Sequence, residues 1–171
     1  MEKPSTARIA LKWGILGAVL IIIYTVALYI SGLFKTPALS WIPFAFLLFG
    51  IVMSLREFKV MNDNIISFSE GLGLGTLMSA VCALIASMFN YVYITFIDTT
   101  ILQQMRELQI EQLEQQGLSS EQIDQAMEIA SRFATPGLTF LFSIIVYVVC
   151  GFVFSLIISA IIKTSKPQLD F

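Results

Sequence analysis

The chain has 171 residues, of which 57% are hydrophobic and only 13% charged, with a formal net charge of −2, whereas a water-soluble domain carries about 25% charged residues. That balance excludes a freely soluble globular domain and a basic nucleic-acid-binding surface. Histidine is absent and both cysteines, Cys82 and Cys150, stand inside apolar runs, so the commonest general base and metal ligand are missing and nothing marks a disulfide framework.

A helix rises 1.5 Å per residue, so about 20 apolar residues cross the ~30 Å hydrocarbon core of a bilayer. Four runs meet that length, and together they predict a single all-α membrane domain over residues 1–171. The first, residues 13–34, is uncharged and follows Lys3, Arg8 and Lys12. It exceeds the apolar core of a signal peptide and no small-x-small site follows it, so it reads as a retained span. The second, residues 37–55, follows at once, with Pro37 placed for a first helical turn and Pro43 expected to bend the helix slightly. The third, residues 71–97, is preceded by Ser67-Phe68-Ser69-Glu70, a capping-box pattern. The fourth, residues 136–162, opens on Thr135 as N-cap and Pro136 in the first turn.

Between the third and fourth runs lies a polar segment, residues 98–134, rich in Gln and Glu. It reads as an amphipathic αα-hairpin. Asp98 is placed to cap the first helix, whose apolar face is Ile101, Leu102, Met105, Leu108 and Leu113, and Gly117 to end it in a left-handed turn. Ser119-Ser120-Glu121-Gln122 opens the second, with a stripe of Ile123, Ala126, Met127, Ala130 and Phe133. The hairpin is either a solvated closure over the bundle or a docking surface for a partner.

Orientation follows from Lys and Arg, which short cytoplasmic segments retain. With the N-terminus inside, Lys3, Arg8, Lys12, Arg56, Lys59, Lys163 and Lys166 are cytoplasmic, and Lys35, Arg106 and Arg132 are outside. Both termini are therefore expected in the cytoplasm and the hairpin outside. Trp13, Trp41, Tyr91 and Tyr93 suit interface anchors. Ile65, Ile66 and Phe68, beyond the charged knot of Arg56, Glu57 and Lys59, are expected along the inner leaflet.

Small residues recur every fourth position in the third run at Gly71, Gly75, Ser79, Ala83 and Ser87, and in the fourth at Gly151, Ser155 and Ser159, preceded by Ser143 and Tyr147. Such stripes let helix backbones approach closely in lipid. An antiparallel register pairing Gly75 with Ser159, Ser79 with Ser155, Ala83 with Gly151 and Ser87 with Tyr147 is expected. A homodimer through the third-run stripe is the alternative.

Three polar residues form the candidate polar site: Glu70, Asn90 and Asp98. Glu70 reads first as a cap and second as a proton or cation group, and Asn90 first as a cross-helix hydrogen bond. No nucleophile with a base, no metal-ligand cluster and no phosphate loop is present, so catalysis, a cofactor and a metal are not expected.

The layout resembles an uncharacterised bacterial membrane family, the domain of unknown function numbered 4199. The likeness runs through two leading spans, Ile66-Ser67-Phe68-Ser69-Glu70-Gly71, the Tyr91-to-Asp98 stretch, the Gln/Glu-rich helices, Pro136 and the Gly151-to-Lys163 close. It implies a bacterial inner-membrane location and carries over no catalytic or ligand residues. The expected role is a non-enzymatic membrane protein acting through helix or hairpin contacts as a small subunit or regulator. Its partners would be the lipid bilayer and a membrane protein or second copy. A small oligomeric transporter or channel is the other reading.

Overall fold

The computed structural model describes residues 4–133 and 135–164. Lys3, Lys166 and Ala134, which entered the charge count and the hairpin bounds above, lie outside the described residues. The chain is all-α, with four helices long and apolar enough to span a membrane. Helix α1 (Thr6–Ser31) starts at Ser5, whose Oγ accepts from the Arg8 N–H, and ends at Gly32, where a φ of 70° puts the backbone in the left-handed region that glycine tolerates.

The connection that follows is not α-helical. Two 3-10 turns, Leu33–Lys35 and Pro37–Trp41, precede α2 (Ile42–Met61). The apolar helical segment runs Pro37–Met61, so it starts where the expected window 37–55 does and continues past Leu55, its first turns 3-10 and the rest α-helical. Pro43 has no N–H to donate, so it sits in the first turn of α2 rather than bending a helix already under way. Downstream, Arg56, Glu57 and Lys59 belong to α2 itself. The 3-10 segment is held to α1 by the Tyr24 hydroxyl, which donates to the Leu39 carbonyl at 2.9 Å.

Helix α3 (Phe68–Val92) opens with a complete capping box: the Ser67 Oγ accepts from the Glu70 N–H, and the Glu70 carboxylate accepts from the Ser67 N–H at 2.8 Å. Its last turn widens into a π-helical turn at Tyr93–Ile97, closed by the Asp98 N–H donating to the Tyr93 carbonyl. Helix α4 (Thr100–Gln115) follows, with Thr99 rather than the expected Asp98 at the N-cap and no side-chain bond from it; one residue earlier, the Asp98 carboxylate accepts from the Thr100 N–H and hydroxyl at 3.1 and 2.6 Å. A Schellman closure ends α4. Gly117 has φ 80°, its N–H donates to Glu114, and the Leu118 N–H reaches Leu113. Helix α5 (Ser120–Phe133) then begins behind Ser119 and Gln122, whose side chains bond reciprocally to each other's backbone N–H.

Helix α6 (Pro136–Ile162) is capped by Thr135, whose Oγ1 accepts from the Leu138 N–H. It returns to the end where the chain began. There the Lys59 ammonium donates to the Ile162 carbonyl, and the Thr164 N–H donates to the Ile66 carbonyl. That Ile66–Thr164 bridge is the only β geometry among the described residues. Ile66 is wholly buried, which corrects its placement along a leaflet: its side chain joins the core and its carbonyl anchors Thr164 just after α6.

Helix α3 is the centre of the bundle, packing most extensively on α6 and α1, while α2 lies against all three. Gly14 and Gly17 of α1 admit α3 closely. A Cβ at Gly14 would lie 2.8 Å from the Val81 Cβ, and one at Gly17 would lie 3.2 Å from the Met78 Cε. The Met78 thioether ends in the notch left by Gly50 of α2. Helices α4 and α5 touch each other and bury only Ile101, Ile123 and Met127.

Candidate functional site

Toward the termini α3 and α6 close against each other, while a cleft of about 610 Å³ lies between the start of α1 and the end of α2, lined by Ser5, Arg8, Ile9, Lys12, Glu57 and Met61; toward the hairpin the interior opens. The closure is the seam between α3 and α6. Gly71 faces Ser159, Gly75 faces Ser155 and Ser79 faces Gly151, with missing side chains on one helix filled by hydroxymethyl groups from the other. A Cβ at Gly71 would sit 3.0 Å from that of Ser159, and one at Gly75 2.9 Å from that of Ser155. At Gly151 a Cβ would overlap the Ser79 side chain.

The expected register is thus corrected by one helical turn. The stripes repeat every four residues, so a one-turn slide keeps small residues opposed throughout. The observed register sets a glycine against a serine at each of these three contacts, whereas the expected one set two side chains, Ser79 and Ser155, against each other. Ser79 and Ser155 donate to carbonyls of their own helix, Gly75 at 2.8 Å and Gly151 at 2.6 Å. The seam is therefore close packing without cross-helix hydroxyl bonds. α6 fills the face that the third-run stripe would otherwise offer to a second copy.

Above the seam the packing opens. A cavity of about 180 Å³ is walled by Ile21, Thr25 and Tyr29 of α1, by Ala86, Ser87 and Asn90 of α3, and by Ser143 and Tyr147 of α6. No residue of α2 contributes to it. At 20 residues α2 is the shortest of the four long helices, and its replacement by 3-10 turns toward the hairpin leaves the interior to three helices. Tyr147 closes the floor, with its ring stacked on Phe44 at 5.3 Å.

The polar lining is uncharged. The Tyr29 hydroxyl donates to the Asn90 Oδ1 at 2.8 Å, tying α1 to α3, and Tyr29 also stacks on Tyr93 at 5.3 Å. The Ser87 Oγ is buried with no hydrogen-bond partner. Asn90 also lines a second, larger cavity of about 360 Å³ beneath the hairpin. Ile94, Leu102, Met105, Met127 and Ala130 give that cavity an apolar body, with Gln103, Arg106 and Gln109 on its α4 side.

The three candidate polar residues are not brought together. Glu70 belongs to the capping box at the termini end, about 30 Å along α3 from Asn90 at helical rise. Asp98 holds the first turn of α4. Asn90 alone stands at a cavity. Tyr29 and Thr25, which complete its surroundings, are missing from the sequence reading. The available signal was a tyrosine hydroxyl inside an apolar run, which needs a partner when buried. The α1 stripe of Ala10, Gly14, Gly17 and Ala18 also went unread, although it carries the second close helix contact. At the termini end a further polar knot ties α1 to α2: the Glu57 carboxylate accepts from the Lys12 ammonium at 2.8 Å and from the Trp13 indole N–H at 2.6 Å.

Among the described residues no cluster of His, Cys, Asp and Glu could hold a metal ion. No curated protein and no solved structure matches the chain. A family model, described as "Protein of unknown function (DUF4199)", matches residues 12–164, which take in most of α1, the other three long helices and the hairpin. The chain belongs to that family.

Proposed function

We propose that the chain is a multi-pass protein of a bacterial inner membrane, with both termini cytoplasmic, that does no chemistry of its own. In this reading it acts through its hairpin as a small subunit or regulator of a membrane complex. Helix α6 supports the membrane setting: it is apolar on every face yet buries only Gly151, Ser155 and Ser159 inside the protein. A helix of that kind needs an apolar surrounding. Arg8, Lys12, Arg56, Lys59 and Lys163 share the termini end, as cytoplasmic cations would.

The observation that carries the contact role is on α5. Ile129 and Phe133, one turn apart, are 61% and 60% exposed, so Phe133 lies off the stripe assigned to it, and the pair faces away from Ile123 and Met127. With a photo-crosslinking residue at Ile129 in native membranes, a discrete protein adduct that Phe133→Glu abolishes is expected. Labelling of lipid alone would overturn the role.

A small transporter is the second reading, favoured by the polar cavity at Asn90. The glycine–serine seam closes the α3–α6 interface on the termini side of that cavity. Solute uptake into liposomes that is lost in Asn90→Leu would favour transport over the contact role.

A further inference from the structure

We propose that the paired cavities meeting at Asn90 bind a neutral amphiphile whose head carries carbonyl oxygens. The polar head lies against Asn90 and Tyr147, and the alkyl body lies beneath the hairpin. The inference rests on the reading of the chain as membrane-spanning and deepens it by assigning a ligand class to a site within the bundle.

The chemistry of the walls selects the head. Among the described residues no Asp, Glu, Lys or Arg lines the inner cavity, so an ion entering it would lose water with no countercharge. What the cavity offers is donors. Because Asn90 Oδ1 is occupied by the Tyr29 hydroxyl, its amide N–H groups are left to donate. Ser87, only 3% exposed, has a hydroxyl without a partner, and the Tyr147 hydroxyl has none among the described residues. Two donors at one space, the Asn90 amide and the Tyr147 hydroxyl, fit acceptor oxygens of the carbonyl type, with the enclosed Ser87 hydroxyl just behind the wall.

The outer cavity selects the body. Its volume of about 360 Å³ falls in the range of small-molecule sites. Leu102 and Met105 of α4 and Met127 and Ala130 of α5 supply an apolar lining that is flexible at its two methionines. Arg106, on the α4 side, is the one charged residue among those lining it. A hydrocarbon chain there would be shielded by the hairpin while its head reaches Asn90.

The test holds the tail constant and varies the head. Full-length protein in lipid nanodiscs is dialysed against decanamide, methyl decanoate, decanoate, decyltrimethylammonium or decane, with uptake by empty discs subtracted. Decanamide and methyl decanoate are expected to bind saturably. Asn90→Leu should weaken both about tenfold, and Tyr147→Phe, which keeps the ring stack on Phe44, by about threefold or more, as loss of a buried hydrogen bond implies. Gly73→Ala, which meets nothing within 4 Å, should bind as wild type.

Preference for decanoate that vanishes in Arg106→Gln would overturn the proposal in favour of an anion site. Equal binding of decane would overturn the assigned head contacts, and no saturable binding by any probe would leave a water-filled cavity in place of a ligand site. The membrane reading fails separately, if the protein folds and stays monodisperse in buffer without amphiphile.

Discussion

Single residues decide how closely the helices approach. Gly151, Gly75 and Gly71 each leave room that a serine of the facing helix occupies, so adding one methyl group forces the α3–α6 seam apart. Gly151→Ala and Gly75→Ala are expected to destabilise the fold by about 1–3 kcal/mol, the usual cost of overpacking, measured by thermal unfolding in detergent. Gly73→Ala, with open space around it, should be neutral or slightly stabilising because alanine is the better helix former. Ser79→Ala and Ser155→Ala should change little, since each hydroxyl bonds only within its own helix. Equal losses for all these variants would show that the seam is not what sets stability. The stripes themselves were legible in the sequence and their register was not. Treating glycine, alanine and serine as one small class hides the difference between a hole and the group that fills it.

At the scale of elements, helix caps were the most readable feature. Ser67 with Glu70, Thr135 and Gly117 act through bonds to neighbours within a few residues, and such local geometry is written in local sequence; Asp98 bonds Thr100 from one position outside the cap. Features that depend on distant partners were less readable. The short α2 and its 3-10 approach follow from Pro43 lacking a donor, but the cavity they leave depends on how three other helices converge. The hairpin has little burial: only Ile101, Ile123 and Met127 of α4 and α5 are buried, against nine residues of α3. Amide hydrogen exchange should therefore be faster across α4 and α5 than across α3 by orders of magnitude, because local opening there exposes little apolar surface. Gly117→Ala should accelerate exchange in the hairpin further, since a Cβ in the left-handed region costs about 1–2 kcal/mol, and should leave α3 unchanged. Similar protection in α3 and α5 would show the hairpin to be fastened by contacts beyond those described.

For the whole molecule, fold class followed from run length, because four uncharged runs of about 20 residues match helical spans and are too long for membrane strands. The site did not follow. Asn90 stood out as an amide in an apolar stretch, yet its partner Tyr29 is 61 positions away, and no local pattern joins the two. Topology gives the global prediction. An alkaline phosphatase fused after Gln115 should be active, as an exported reporter is, while a fluorescent protein fused after the last residue should mature in the cytoplasm. The reverse pattern would invert every assignment of inside and outside made from the cations.

The two faces of the seam are made far apart in time. Ser79 and Gly151 meet in the finished protein, but a ribosome adding about 5–20 residues per second must complete all of α4 and α5 after α3 before the first turn of α6 emerges. For several seconds each nascent chain leaves three helices in place with the grooved side of α3 uncovered. Until α6 is added, the notches at Gly71 and Gly75 lack the serines that fill them in the finished fold.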